Sequence, residues 1–274
     1  VTSGSMWYYF RPKRSGCTLA AADVVKFTAT IAVSSVNTTG KYPEYNKVWE
    51  DGVLKVVTIF GKNEDGATTA SDPGVAAFNT YVKSVKTTLQ PYGFTTTPAN
   101  VSDTPGVANP DVTLRATLAS GKTVEVVALL VDNVRTAGAA FDTRYEQLST
   151  RADLIAYNGH AGLGQNVRAL ARKGKWVAGQ YLIVYMGGCD TYAYVDGYLA
   201  DARAALNPDD PSGTKYLDFL VNAMPAFFNK NPTNSLALLR ALMKFDAPVK
   251  YEAIMNDFDP AQVVLVTGEQ DNVY

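Results

Sequence analysis

Four stretches of the chain are apolar almost without a break: "VLKVVTIFG" at 53–61, "VEVVALLV" at 124–131, "LIAYNG" at 154–159 and "YLIVYMGG" at 181–188. Each is short and rich in β-branched residues, and three of the four end on glycine. Runs of this kind read as strands covered on both faces. Helical spacing fills the intervals. Val75, Phe78, Val82, Val85 and Leu89 recur along one face of 75–89, and "PYG" stops that helix. A second helix is expected over about 138–149, and "QNVRALARKGKW" (165–176) reads as a short helix or turn. "YLDFLVNAMPAFF" (216–228) and "NSLALLRALMKF" (234–245) also read as helical, with Pro225 as a kink or stop. "QVVLVTG" (262–268) is a late strand, and 95–110 reads as loop. The tract before 124 is either a hairpin about Ser120-Gly121-Lys122 or a strand leading into the buried one.

Alternation of strand and helix predicts an α/β fold, a largely parallel sheet flanked by helices. The beginning of the chain differs. "VVKFTATIAVSSV" (24–36) alternates like a strand, and 37–52 is rich in turn residues. Residues 1–48 are therefore expected to form a β-rich N-terminal extension and 49–274 the α/β domain.

Composition narrows the function classes. With 47% hydrophobic and 19% charged residues, the chain reads as globular. A net charge of −1, from 25 basic and 26 acidic residues, supplies no field for nucleic acid. No apolar run approaches a membrane span, and "VTSGSMWYYFRPKRSGC" lacks the apolar core of an export signal. The many Thr, Tyr and Asn residues fit an exported or periplasmic protein. Cys17 and Cys189 cannot make a disulfide framework, though one bridge between them is open in an oxidising compartment. One histidine and two distant cysteines argue against a zinc site, and no metal or cofactor is expected.

The lone histidine is the most informative residue. "YNGHAG" places His160 just past the end of the 154–157 run, and "YLIVYMGGCD" places Cys189 just past the next. In open α/β sheets, ligands sit beyond the carboxyl ends of strands. Neighbouring strands would bring both side chains to one crevice. An imidazole beside a thiol promotes the nucleophilic thiolate. Flanking glycines allow sharp turns and close approach of a substrate. Backbone N–H groups past a strand end can hold an oxyanion. The chemistry implied is acyl transfer on an amide. No Gly-x-Ser-x-Gly elbow supports a serine nucleophile, and "GLGQNV" (162–167) lacks the spacing and lysine of a phosphate loop. Asp190, Tyr192 and Asp196 follow the cysteine as pocket candidates or solvated loop. Asp257 and Asp259 in "NDFDP" are calcium-ligand candidates or turn residues.

The order of these segments, hydrophobic run–Gly-His-Ala-Gly and then hydrophobic run–Gly-Cys-Asp, resembles the caspase-like (clan CD) cysteine peptidases. The spacing of 189 − 160 = 29 residues is shorter than the roughly 50 of caspases and more similar to the gingipain and separase branches. Gly188-Cys189-Asp190 is similar to the legumain nucleophile tripeptide. The resemblance implies a thiol protease with Cys189 as nucleophile and His160 as general base and acid. It implies oxyanion donors in the N–H groups of Cys189 and Ala161, where the family usually has Gly. Its members often reach the S1 pocket from the loop after the first strand. Here that loop is "GKNEDG" (61–66), where Glu64 and Asp65 suit an Arg or Lys at P1 and Lys62 an acidic P1. The partner implied is a peptide or protein substrate, with oligomeric state open. The alternative is a non-catalytic binding or scaffold module on the same fold.

Overall fold

A computed structural model describes residues 20–30, 40–195 and 197–268. The chain divides into two compact units, Val1–Thr38 and Thr39–Tyr274. Of the first, the described residues hold a single helical turn at Ala21–Asp23. Val24–Thr30 form no regular strand, and the rest of the strand expected at 24–36 lies outside the described residues.

The second unit is built on one eight-stranded sheet. Its strands are β1 (Val53–Gly61), β2 (Phe94–Thr97), β3 (Asp111–Thr117), β4 (Thr123–Val131), β5 (Leu154–Asn158), β6 (Leu182–Gly187), β7 (Leu217–Asn222) and β8 (Val264–Gly268). They lie in the order β2-β3-β4-β1-β5-β6-β7-β8. β4, β1, β5, β6 and β7 run parallel, while β2, β3 and β8 close the two edges antiparallel. The hairpin reading of 111–131 is the one that forms.

The alternation hidden in the apolar runs sorts side chains into two cores. Leu54, Val56, Phe60, Val126, Ala156, Ile183, Tyr185 and Leu220 pack on one face. They meet α1 (Tyr45–Val48), α2 (Pro73–Leu89), α6 (Asn231–Leu242) and α7 (Tyr251–Met255). Val57, Ile59, Ile155, Tyr157, Val184, Met186 and Phe219 face the other side. They are covered by α3 (Ala139–Ser149), α4 (Gln165–Lys173) and α5 (Tyr198–Ala204). This is an α/β fold of three layers.

The segment 217–222 corrects the helical expectation: it is β7, wedged between β6 and β8 and buried throughout. Because both faces are covered, no period of two appears in its sequence. Pro225 lies in the loop beyond it and kinks no helix. Asp218 is tolerated inside β7 because its carboxylate accepts hydrogen bonds from Tyr181 and Tyr251, each at 2.6 Å, and Lys41 stands 3.4 Å away. The strand β2, which overlaps the start of the tract expected as loop, is a four-residue edge. No helix among the described residues is long and apolar enough to cross a membrane.

Candidate active site

β5 and β6 are parallel neighbours, with Asn158 opposite Gly187. The pairing extends one step further, since the Gly159 N–H donates to the Gly187 carbonyl at 3.2 Å. His160 and Cys189 each stand two residues past the paired positions, so the topology brings both to the same end of adjacent strands. Gly188 lets the two turns close on each other. A Cβ there would stand 3.0 Å from the Gly159 carbonyl oxygen and 3.1 Å from the Ala161 nitrogen. Neither the Ala161 nor the Cys189 N–H donates a hydrogen bond among the described residues. The Gly187 and Gly188 carbonyls, by contrast, are held from below by the Asn231 and Asn222 side-chain amides at 2.7 and 3.1 Å.

The histidine loop is fixed by its own backbone. The His160 carbonyl accepts from the Tyr157 hydroxyl and from the Asn166 amide, both at 2.8 Å. Gly162, Leu163 and Gly164 all have positive φ, a tight reversal into α4. Leucine is costly in that conformation, and Leu163 is also 68% exposed. Leu163→Gly is therefore expected to stabilise the protein by about 0.5–1 kcal/mol, the relief of strain exceeding the added chain entropy. Urea unfolding with an unchanged m value checks this. A fall in stability would show that the side chain packs more than its exposure suggests.

The His160 ring is exposed. Its Nε2 lies 3.2 Å from the Asn63 carbonyl, in the loop after β1, and the Phe228 ring meets it edge-on at 5.1 Å. A carbonyl only accepts, so this contact assigns the proton to Nε2 and leaves Nδ1 as the basic nitrogen. Cys189 is a free, half-buried thiol. Its Sγ donates to the Ala226 carbonyl at 3.5 Å, and no hydrogen bond joins it to His160. Cys17, its alternative partner, lies outside the described residues. Asp190 follows with φ of 49° and donates its N–H to the Met224 carbonyl at 3.1 Å. Burial pushes its carboxyl above the ordinary value.

The loop 223–230 after β7 thus reaches both candidate residues, through Ala226 and Phe228. The sequence reading missed it, having assigned that stretch to a helix. It also missed Asn63, Asn166, Asn222 and Asn231. The one visible signal was an asparagine ending each of two apolar runs, Asn158 and Asn222. Glu64 and Asp65 are exposed, on the loop whose Asn63 carbonyl meets the histidine. Lys62 is taken up by Asp132 at 2.5 Å. Tyr192 is exposed, and Asp196 lies outside the described residues. Asp259 pairs with Lys230 at 2.9 Å and accepts from the Ala261 N–H. Among the described residues, no group of three or more His, Cys, Asp or Glu side chains could hold a metal ion.

In comparisons with known proteins, no family model matches the chain and no curated protein matches it.

Proposed function

We propose that the protein is a caspase-like cysteine endopeptidase, with Cys189 as nucleophile and His160 as general base and acid. The observation that carries the reading is the pairing of β5 with β6. It sets the two residues at matched strand ends with the unpartnered N–H groups of Ala161 and Cys189 beside them. Nδ1 of His160 takes the thiol proton as Sγ attacks a peptide carbonyl. The oxyanion is received by the two N–H groups. The imidazolium returns its proton to the leaving amine, and water then hydrolyses the thioester. In the free protein the thiol rests on the Ala226 carbonyl. Catalytic hydrogen bonds are often unmade in apo structures, and substrate would take over that place.

Lys62 being bound to Asp132 leaves Glu64 and Asp65 as exposed carboxylates with no ion pair among the described residues, which favours Arg or Lys at P1. Profiling against a mixed peptide library tests activity and preference together. Cleavage after Arg or Lys is expected. Cleavage after Asp, Asn or small apolar residues would refute the basic preference alone. A second reading, a non-catalytic binding or scaffold module, is favoured by the thiol's contact with Ala226 in place of His160. It predicts no cleavage and a Cys189 thiol that iodoacetamide labels no faster than Cys17.

A further inference from the structure

We propose that Asp72 is a positioning residue for His160, acting through the Asn63–Glu64 peptide without touching the ring. The inference rests on the peptidase reading only for its effect on turnover. The geometry is carried by one carboxylate that accepts four backbone N–H bonds. Two come from the start of α2, Gly74 at 2.8 Å and Val75 at 3.0 Å, where Asp72 is the N-cap. Two come from the loop after β1, Asn63 at 3.2 Å and Glu64 at 2.9 Å. A Cβ on Gly74 would clash with the Gly61 carbonyl oxygen, so the helix start lies directly on the end of β1.

The Glu64 N–H and the Asn63 carbonyl belong to the same planar peptide and point in opposite directions. Holding that N–H on Asp72 turns the carbonyl away from the carboxylate. The atom it then meets is Nε2 of His160, at 3.2 Å. A negative charge on the N–H side of a peptide also polarises its carbonyl, which becomes the better acceptor. Carboxylate, peptide and imidazole form a relay that favours the Nε2–H tautomer and leaves Nδ1 free to accept a proton. The carboxylate's role is that of an orienting third group, delivered across one peptide bond. Burial pushes the Asp72 carboxyl up, and the four N–H donors more than offset this, so it stays below the ordinary value and charged at neutral pH.

The variant that separates this role from helix capping is Asp72→Ser. A serine still caps the first turn of α2 but has too short a reach and too few oxygens to hold the loop. His160 is the only histidine in the chain, so the imidazole 15N spectrum of untagged protein reads its tautomer without assignment. In the wild type the neutral ring is expected as Nε2–H. In Asp72→Ser it is expected as a mixture of tautomers, with kcat about 10-fold lower, KM unchanged and the unfolding temperature within a few degrees. An unchanged tautomer in Asp72→Ser overturns the proposal, and so does equal loss of kcat in a His160→Ala background. A changed tautomer in a protein that cleaves no peptide supports the relay and defeats the peptidase reading.

Discussion

Cys189→Ala is expected to lower kcat/KM for peptide cleavage by about 10,000-fold or more, because among the described residues it is the one thiol, and the nearby Thr191 and Ser235 hydroxyls are buried and engaged in hydrogen bonds. His160→Ala should cost nearly as much, and the double variant little more than either alone. Residues that act as one unit fail together, so their effects do not add. The fold should survive all three changes. The His160 ring is exposed and Cys189 is half-buried, and neither belongs to the two cores. Steady-state kinetics with far-UV circular dichroism as control decides the matter. Cys189→Ala protein that retained a tenth of the activity would remove the cysteine from the mechanism.

Gly188→Ala is expected to lower kcat/KM by about 10-fold, short of the roughly 100-fold that a full 1 Å misplacement costs, while leaving the thiol in place. The added methyl would meet the Gly159 carbonyl oxygen at 3.0 Å, the Ala161 nitrogen at 3.1 Å and the Thr191 methyl at 3.2 Å. Two of the three are backbone atoms of the histidine loop, which Tyr157 and Asn166 tie down. Something must yield by a few tenths of an ångström, and the histidine and cysteine turns move apart. Displacement on that scale reaches a reacting group with large effect on rate, whereas overpacking by one methyl costs about 1–3 kcal/mol of stability. The loss should fall on kcat, since the N–H groups of Ala161 and Cys189 matter most when charge develops on the oxygen. A loss confined to KM would place the crowding in the substrate groove and away from the oxyanion donors.

The parallel core was readable because burial on both faces leaves continuous apolar runs, and β1, β4, β5 and β6 announce themselves that way. The same property hid β7. Leu217, Leu220, Val221, Met224 and Phe228 match a helical face as well as they match a doubly covered strand, and an aspartate interrupts them. That error carried the loop 223–230 away from the site, so the contacts of Ala226 and Phe228 with the cysteine and histidine could not be foreseen. β2 gave no signal because "FTTT" is a half-exposed edge with no alternating apolar side. His160 and Cys189 were legible as the ends of adjacent runs. Asn63 was not, because it contributes a carbonyl, and every residue carries one. Asp72 was not legible either: its capping of the helix and its hold on a second pair of N–H groups, from a loop eight residues earlier, both appear only once the chain is folded.

The layer beneath the site is made of neutral amides and hydroxyls. Asn158, Asn222, Asn231, Asn234, Gln262, Ser235 and Thr191 share hydrogen bonds with one another, with the Gly187 and Gly188 carbonyls and with the Tyr185 hydroxyl. Burial holds the Tyr185 hydroxyl at about 12 and pushes that of Tyr157 higher still. None of these groups changes charge across the range in which a protein is ordinarily assayed. The scaffold is thus silent to acid and base over that range, and a response to pH at this end of the sheet has to come from groups outside the layer, among them the adjoining carboxyl of Asp190, which burial pushes up.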